Sequence, residues 1–279
     1  MVGSVFILKN SNNMEEAQAF TEELMSSSLR HHESLYGVIT QLKNNGKSIG
    51  LYCKFDNSEN VTRRITGGPA LNYYENYIYF SLIQNKIETL SKLNKRIIDL
   101  MKCVSGIEPF GGASLSRDKK AIYGITKLDT LEVIEIIMKN GENDIKRCLN
   151  STENIEIKEV SNINPNKQII DSYKADSWIR YGAKSLQYKY DVNKKGFNVE
   201  ISASVYENYI KEIQITGNFY ASPPMEPINA LISLQGTPIN EVYFYGVKGR
   251  LKKIEFEGID KEAISSALDG IYKILLTKQ

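Results

Sequence analysis

Apolar residues change their spacing several times along the chain, and each change marks an element. Val5 to Leu8 is a short continuous apolar run, which predicts a buried strand. Ala17, Phe20 and Leu24 then recur at helical spacing behind Asn13 and Glu16, a capping-box pair, and the Ser26–Ser28 run predicts the helix end. Leu35 to Thr40 and Ser48 to Phe55 read as two strands of a hairpin turning at Asn44-Asn45-Gly46. A tyrosine-rich strand covers Tyr73 to Leu82. The stripe Ile83, Ile87, Leu90, Ile97, Met101 and Val104 predicts a helix stopped at Gly106. Pro109 to Gly112 is a turn. Ala113–Arg117 and Ala121–Thr126 read as strands paired around Asp118-Lys119-Lys120, and Leu131–Met138 as another. Asn143 to Leu149 reads as a short helix.

From Asn150 to Lys167 the chain turns polar and Asn-rich, which predicts a linker and divides it into residues 1–170 and 171–279. Beyond Trp178, three strands follow at Leu186–Asp191, Phe197–Val205 and Tyr209–Thr216. Met225–Leu234 reads as a helix, Tyr243–Gly246 as a turn or brief strand, and Lys261–Leu276 as the closing helix. The fold class is α+β: a large unit with mixed sheets flanked by helices, then a small α+β unit of about 100 residues.

Composition narrows the chemistry without selecting it. The 279 residues carry 35 Lys+Arg against 33 Asp+Glu, and the net +2 gives no field that would draw nucleic acid or an anionic membrane. No apolar run is long enough for a membrane span, and the first residues read as a strand rather than a signal peptide. Cys53, Cys103 and Cys148 form no CxxC pair, so a reduced cytoplasmic setting is the expectation. Two adjacent histidines, His31 and His32, cannot make a multi-histidine metal site; adjacent helical residues do not share a face, so they read as a solvated helix end.

The hexamer Arg63-Arg64-Ile65-Thr66-Gly67-Gly68 carries the most chemistry. Paired glycines let backbone N–H groups approach carbonyl or phosphate oxygens, and a neighbouring arginine can grip such a group with two bonds. A plain Gly-Gly-Pro turn with two solvated arginines is the competing reading. Downstream, Asp118-Lys119-Lys120 at a strand start offers a cation or a solvated turn. The tyrosines 73, 74, 77 and 79 fit a strand better than a base-stacking platform. The run Lys248, Arg250, Lys252 and Lys253 reads as a solvated turn or as a docking surface for an acidic carrier domain.

In register, Arg63, Arg64, Thr66, Gly67, Gly68 and Ala70, with Phe80-Ser81 at the next strand end, resemble the signature of lipoate–protein ligases and lipoyl or octanoyl transferases of the biotin/lipoyl-ligase superfamily. Lys119 fits the transferase spacing back from Gly124, and a one-residue slip lets Lys120 serve. Because such a slip reverses the face of a strand, both lysines cannot point inward. Tyr188–Tyr190, Lys211–Tyr220 and Leu231–Pro238 resemble the accessory domain of lipoate–protein ligases, with Asn218 in place of the usual Asp. The chain departs from the pattern at Pro69, which replaces a third glycine, at Tyr73-Tyr74, which replace His-Asp, and at Gly111-Gly112-Ala113, which replace Asn-Asp.

The resemblance implies a class II synthetase-like biotin/lipoyl ligase fold with a small accessory domain. It implies activation of lipoate with ATP and Mg²⁺ to lipoyl-AMP, then transfer to a lysine of a lipoyl carrier domain, either a dehydrogenase-complex acyltransferase subunit or a glycine-cleavage H-type protein. Arg63, Arg64, Thr66, Gly67, Gly68, Pro69, Ala70 and Tyr73 would hold the acyl-adenylate, and Lys119 or Lys120 would neutralise its phosphate. The departures motivate a second possibility: a diverged paralogue that binds a lipoyl carrier or a partner ligase subunit without adenylation. The two remain open on sequence.

Overall fold

Alternation of side chains along a strand explains how this chain makes two cores from one large sheet. The computed structural model describes residues 3–30, 35–86, 88–115, 120–128, 130–150, 155–161 and 164–278. The first unit runs β1 (Gly3–Asn12), α1 (Met14–Arg30), β2 (Leu35–Leu42), β3 (Gly46–Ile49), β4 (Val61–Arg63), β5 (Leu71–Tyr73), β6 (Tyr77–Asn85), α2 (Leu90–Ser105), β7 (Ala113–Leu115), β8 (Lys120–Leu128), β9 (Leu131–Lys139), α3 (Glu142–Asn150) and β10 (Ile155–Val160). Seven strands form a mixed sheet in the order β10-β1-β2-β6-β9-β8-β7, and β4-β3-β5 form a second, small sheet. On β6, Ile78, Phe80 and Leu82 pack with α2, while Tyr77, Tyr79 and Ile83 face α1 and the small sheet. Helices α2 and α3 thus cover one face, and α1 with the small sheet covers the other.

Local signals hold where they are chemically specific. The Asn13 N–H donates to Glu16 at 2.9 Å, the Glu16 half of the expected capping box. Gly106 caps α2 at φ 74°, and β7 pairs with β8 as expected. The structure differs elsewhere. The Asn-rich stretch read as a linker holds β10, which pairs in parallel with β1 from Gly3↔Ile155 to Leu8↔Val160. The expected hairpin at Asn44–Gly46 is absent, because β3 leaves the β2 sheet for β4 and β5. Ile83 belongs to a strand: β6 runs on to Asn85 and the helix starts at Leu90, capped by Thr89.

The remainder, expected as a second unit, begins with α4 (Lys167–Lys174), which packs on α1, and runs on through α5 (Asp176–Ile179), β11 (Tyr188–Lys194), β12 (Phe197–Tyr206), β13 (Tyr209–Gly217), β14 (Tyr220–Ser222), α6 (Glu226–Ile232), α7 (Glu241–Leu251), β15 (Glu255–Glu257) and α8 (Lys261–Leu276). The antiparallel sheet β11-β12-β13 packs against α6, α7 and α8. The segment read as a turn at Tyr243–Gly246 is helix α7, capped by Asn240. Its apolar residues fall on every side, so no stripe announces it.

Cys103 of α2 and Cys148 of α3 form a disulfide, with Cα atoms 6.1 Å apart. The sequence reading expects separate thiols in a reduced setting. The 45-residue separation hides a pairing that only the α2–α3 contact reveals. No helix among the described residues is long and apolar enough to cross a membrane.

Candidate functional site

The glycine hexamer leaves the small sheet at β4 and lies between the two units. Arg63 is fully buried. Its Nη1 donates to the carbonyls of Gly50, Leu51 and Cys53, and its Nε and Nη2 donate to those of Trp178, Ile179 and Tyr181. In return the Trp178 indole donates to the Arg63 carbonyl at 3.1 Å. A guanidinium has five N–H donors in a fixed fork, so these carbonyls use up its capacity. Burial lowers its pKa to about 10. Arg63 therefore ties the loop after β3 to the start of the second unit.

Arg64 is also fully buried. It donates to Ser48 Oγ at 2.8 Å and to the Pro69 carbonyl at 2.8 Å, while its Nε has no partner. Burial pushes its pKa down, and the nearby Glu135 carboxylate opposes that shift. Thr66 donates its hydroxyl to Glu135, and Tyr79 donates to the other oxygen of the same carboxylate at 2.7 Å. Burial, then Glu135, raises the Tyr79 pKa well above its usual value.

The two glycines are needed, but for packing inside the chain. A Cβ on Gly67 would collide with the Phe219 carbonyl, and Gly68, at φ 96°, lies under Tyr220 and the Tyr123 carbonyl. The Gly68 N–H donates to the Phe219 carbonyl at 3.1 Å, and the Gly68 carbonyl accepts from the Cys53 thiol. Tyr220 is fully buried. It stacks on Tyr123 at 5.4 Å and donates to the Tyr123 carbonyl at 3.2 Å. Burial drives its hydroxyl pKa well up, and that of Tyr123 up to about 12. Gly112 makes room too, since a Cβ there would strike the Tyr220 hydroxyl. The Gly111-Gly112 departure from the ligase pattern thus has a local cause. On the opposite side, Phe219 stacks on Tyr52 at 4.3 Å within the core of the second unit.

The remaining expected residues scatter. Pro69 is half-buried and Ala70 exposed. Tyr73 is buried in the core with Met14, Leu42 and Tyr79; burial, then the Glu15 charge, raises its pKa. Lys119, like His31 and His32, lies outside the described residues. Lys120 opens β8 and is exposed, four residues and about 13 Å of strand from Gly124, the residue that abuts Thr66. The alternation puts Lys120 on the face of Gly124. Lys120 lines an open pocket of about 430 Å³ with Tyr74, Tyr77 and Lys139, and neither Gly67 nor Gly68 lines that pocket. Of the residues that sequence reasoning gives to the acyl-adenylate, Gly67 and Gly68 are covered by Phe219-Tyr220, and that pair leaves no room for the group in this arrangement. No cluster that could hold a metal ion is found among the described residues.

Sequence reasoning missed Tyr123, Glu135 and the reach of Tyr220. Glu135 sits in a strand read only for its alternation, and the aromatic pair at 219–220 was read as part of the accessory domain alone.

The mixed sheet, the small sheet and the fused α+β unit together define a class: the chain has the lipoate–protein ligase fold. It is similar to P. falciparum LipL1, solved in complex with lipoate, at TM-score 0.65 and 15% identity over 99% of each chain. It is also similar to a lipoate-protein ligase A bound with ATP, at TM-score 0.52 and 11% identity over 65% of this chain and 100% of that one. No known family model and no curated protein matches the chain.

Proposed function

We propose that this chain is a lipoate–protein ligase-like binding protein, which engages a lipoyl carrier domain without making lipoyl-AMP itself. The supporting observation is the Gly68 N–H donating to the Phe219 carbonyl, with Tyr220 packed against Gly68 and stacked on Tyr123. A phosphate or acyl carbonyl needs free N–H donors, and here the second unit takes one for its own backbone. The carrier is a dehydrogenase-complex acyltransferase subunit or a glycine-cleavage H-type protein, and a partner ligase subunit would supply the chemistry.

A second reading keeps the ligase activity, with ATP, Mg²⁺ and lipoate as reactants. It is favoured by the partnerless Nε of buried Arg64 and by Lys120 on the glycine-loop face of β8. Solved neighbours of the same fold hold lipoate and ATP. The test is pyrophosphate release and lipoyl-AMP formation from lipoate, ATP and Mg²⁺. The binding reading expects neither, together with calorimetric binding of the carrier domain. Lipoyl-AMP made by the wild type and lost in Lys120→Ala would overturn it in favour of the ligase.

A further inference from the structure

The second unit carries a groove along the outward face of α8, with a volume of about 840 Å³. It extends from Lys261 to Ile274, about 20 Å at helical rise. Lys248 of α7 and Lys252, which caps its C-terminus, wall one side, and Tyr190 of β11, lying on Gly270, walls the other. Lys248 is paired with Asp269. Lys252, Lys261 and Lys273 have no carboxylate partner among the described residues, and Lys261 donates only to the Lys252 carbonyl at 2.7 Å. One carboxylate in the groove, Glu262, has no cation partner among the described residues. Residues 171–279 hold 14 basic and 13 acidic residues, so the excess belongs to this groove and not to the unit as a whole.

The adjoining face of α7 is apolar and open. Val242 and Tyr245 are exposed there, and Tyr245 lies one turn from Lys248 on the groove side; Tyr243, also exposed, lies on the opposite flank with Arg250. Gly246 in mid-helix and Gly249 in the last turn of α7 are poorer helix formers than alanine. A Cβ at either would meet nothing within 4 Å, so packing inside this chain does not call for glycine there. Bare helix backbone beside exposed tyrosine, with lysines at the edge, has the make-up of a protein interface: aromatic centre and charged rim. Nucleic acid fits poorly, because Glu262 and Asp269 interrupt the cations a phosphate backbone would follow.

We propose that the α7–α8 groove docks the acidic face of the lipoyl carrier domain. Its carboxylates would meet Lys252, Lys261 and Lys273, and an apolar side chain would rest between Tyr190 and Tyr245. The identity of the partner rests on the binding reading above. The test titrates a purified acyltransferase lipoyl domain from the same organism into the full chain, followed by calorimetry. Lys252→Glu with Lys273→Glu is expected to weaken binding at least tenfold, and raising salt from about 50 to about 500 mM to weaken wild-type binding several-fold. Gly249→Gln is expected to weaken binding at least tenfold while raising the melting temperature, since glutamine is the better helix former. Unchanged affinity in both variants would place the carrier elsewhere and overturn this proposal alone. No binding to the wild type would overturn the carrier reading and this proposal together.

Discussion

Two groups of cations in this chain have opposite surroundings. Arg63 and Arg64 are fully buried, and six carbonyls of the chain itself absorb the Arg63 guanidinium. Lys252, Lys261 and Lys273 stand at the surface without a carboxylate partner among the described residues. The motif with the stronger sequence signature has become internal structure, while two members of the bland basic run, Lys248 and Lys252, line an open groove with Lys261 and Lys273. A signature records what residues can bind; the fold decides whether anything is left for them to bind.

The sharpest way to break this comparison is at Arg63. Arg63→Leu strands carbonyls from both units, and the expected loss is on the order of 4 kcal/mol in urea unfolding. A loss below about 1 kcal/mol would mean that the arginine is not structural. Glycine substitutions sharpen the contrast. Gly67→Ala drives a methyl into the Phe219 carbonyl and is expected to cost about 2 kcal/mol or more, whereas Gly249→Ala is expected to stabilise by about 1 kcal/mol. Equal effects on melting temperature would remove the distinction between a closed loop and an open helix face. Tyr220→Phe deletes the hydroxyl donated to Tyr123 and is expected to cost about 1 kcal/mol. A neutral result would make stacking alone the source of its hold.

The smallest effect concerns acid. Hydrogen bonds from Lys47 and Ser58 lower the Asp56 pKa from 3.8 to about 2. Its contribution is therefore complete above pH 3.8 and lost as pH falls through about 2. Asp56 is solvent-exposed, so the expected change is about 0.5 kcal/mol or less, read as the difference between wild type and Asp56→Asn across that window. A larger difference would show that this surface ion pair matters as the buried arginines do.

Much of the fold was legible because its signals were local. The capping box at Asn13 and Glu16, the stop at Gly106 and the three strands after Trp178 all follow from nearby residues. What stayed hidden depends on distant partners. Ile155–Val160 mixes apolar and charged residues inside an Asn-rich stretch and pairs with the distant β1, and α7 has no stripe to read because its apolar residues fall on every side. For the site, the hexamer was visible but its occupant was not, since Phe219-Tyr220 lies about 150 residues away in sequence. Nothing near Gly67 foretells that neighbour.

The Cys103–Cys148 bond turns the stretch between them into a covalent ring. That ring holds β7, β8 and β9, and so both Gly124 and Glu135, which abut Thr66. A protease cut anywhere inside it leaves one molecule, not two. On a denaturing gel the nicked protein runs as a single band until a thiol is added, and closing a ring of this size favours the folded state by about 4 kcal/mol through chain entropy. The strands that wall the glycine loop are thereby held to the α2–α3 pair even when the backbone between them is broken.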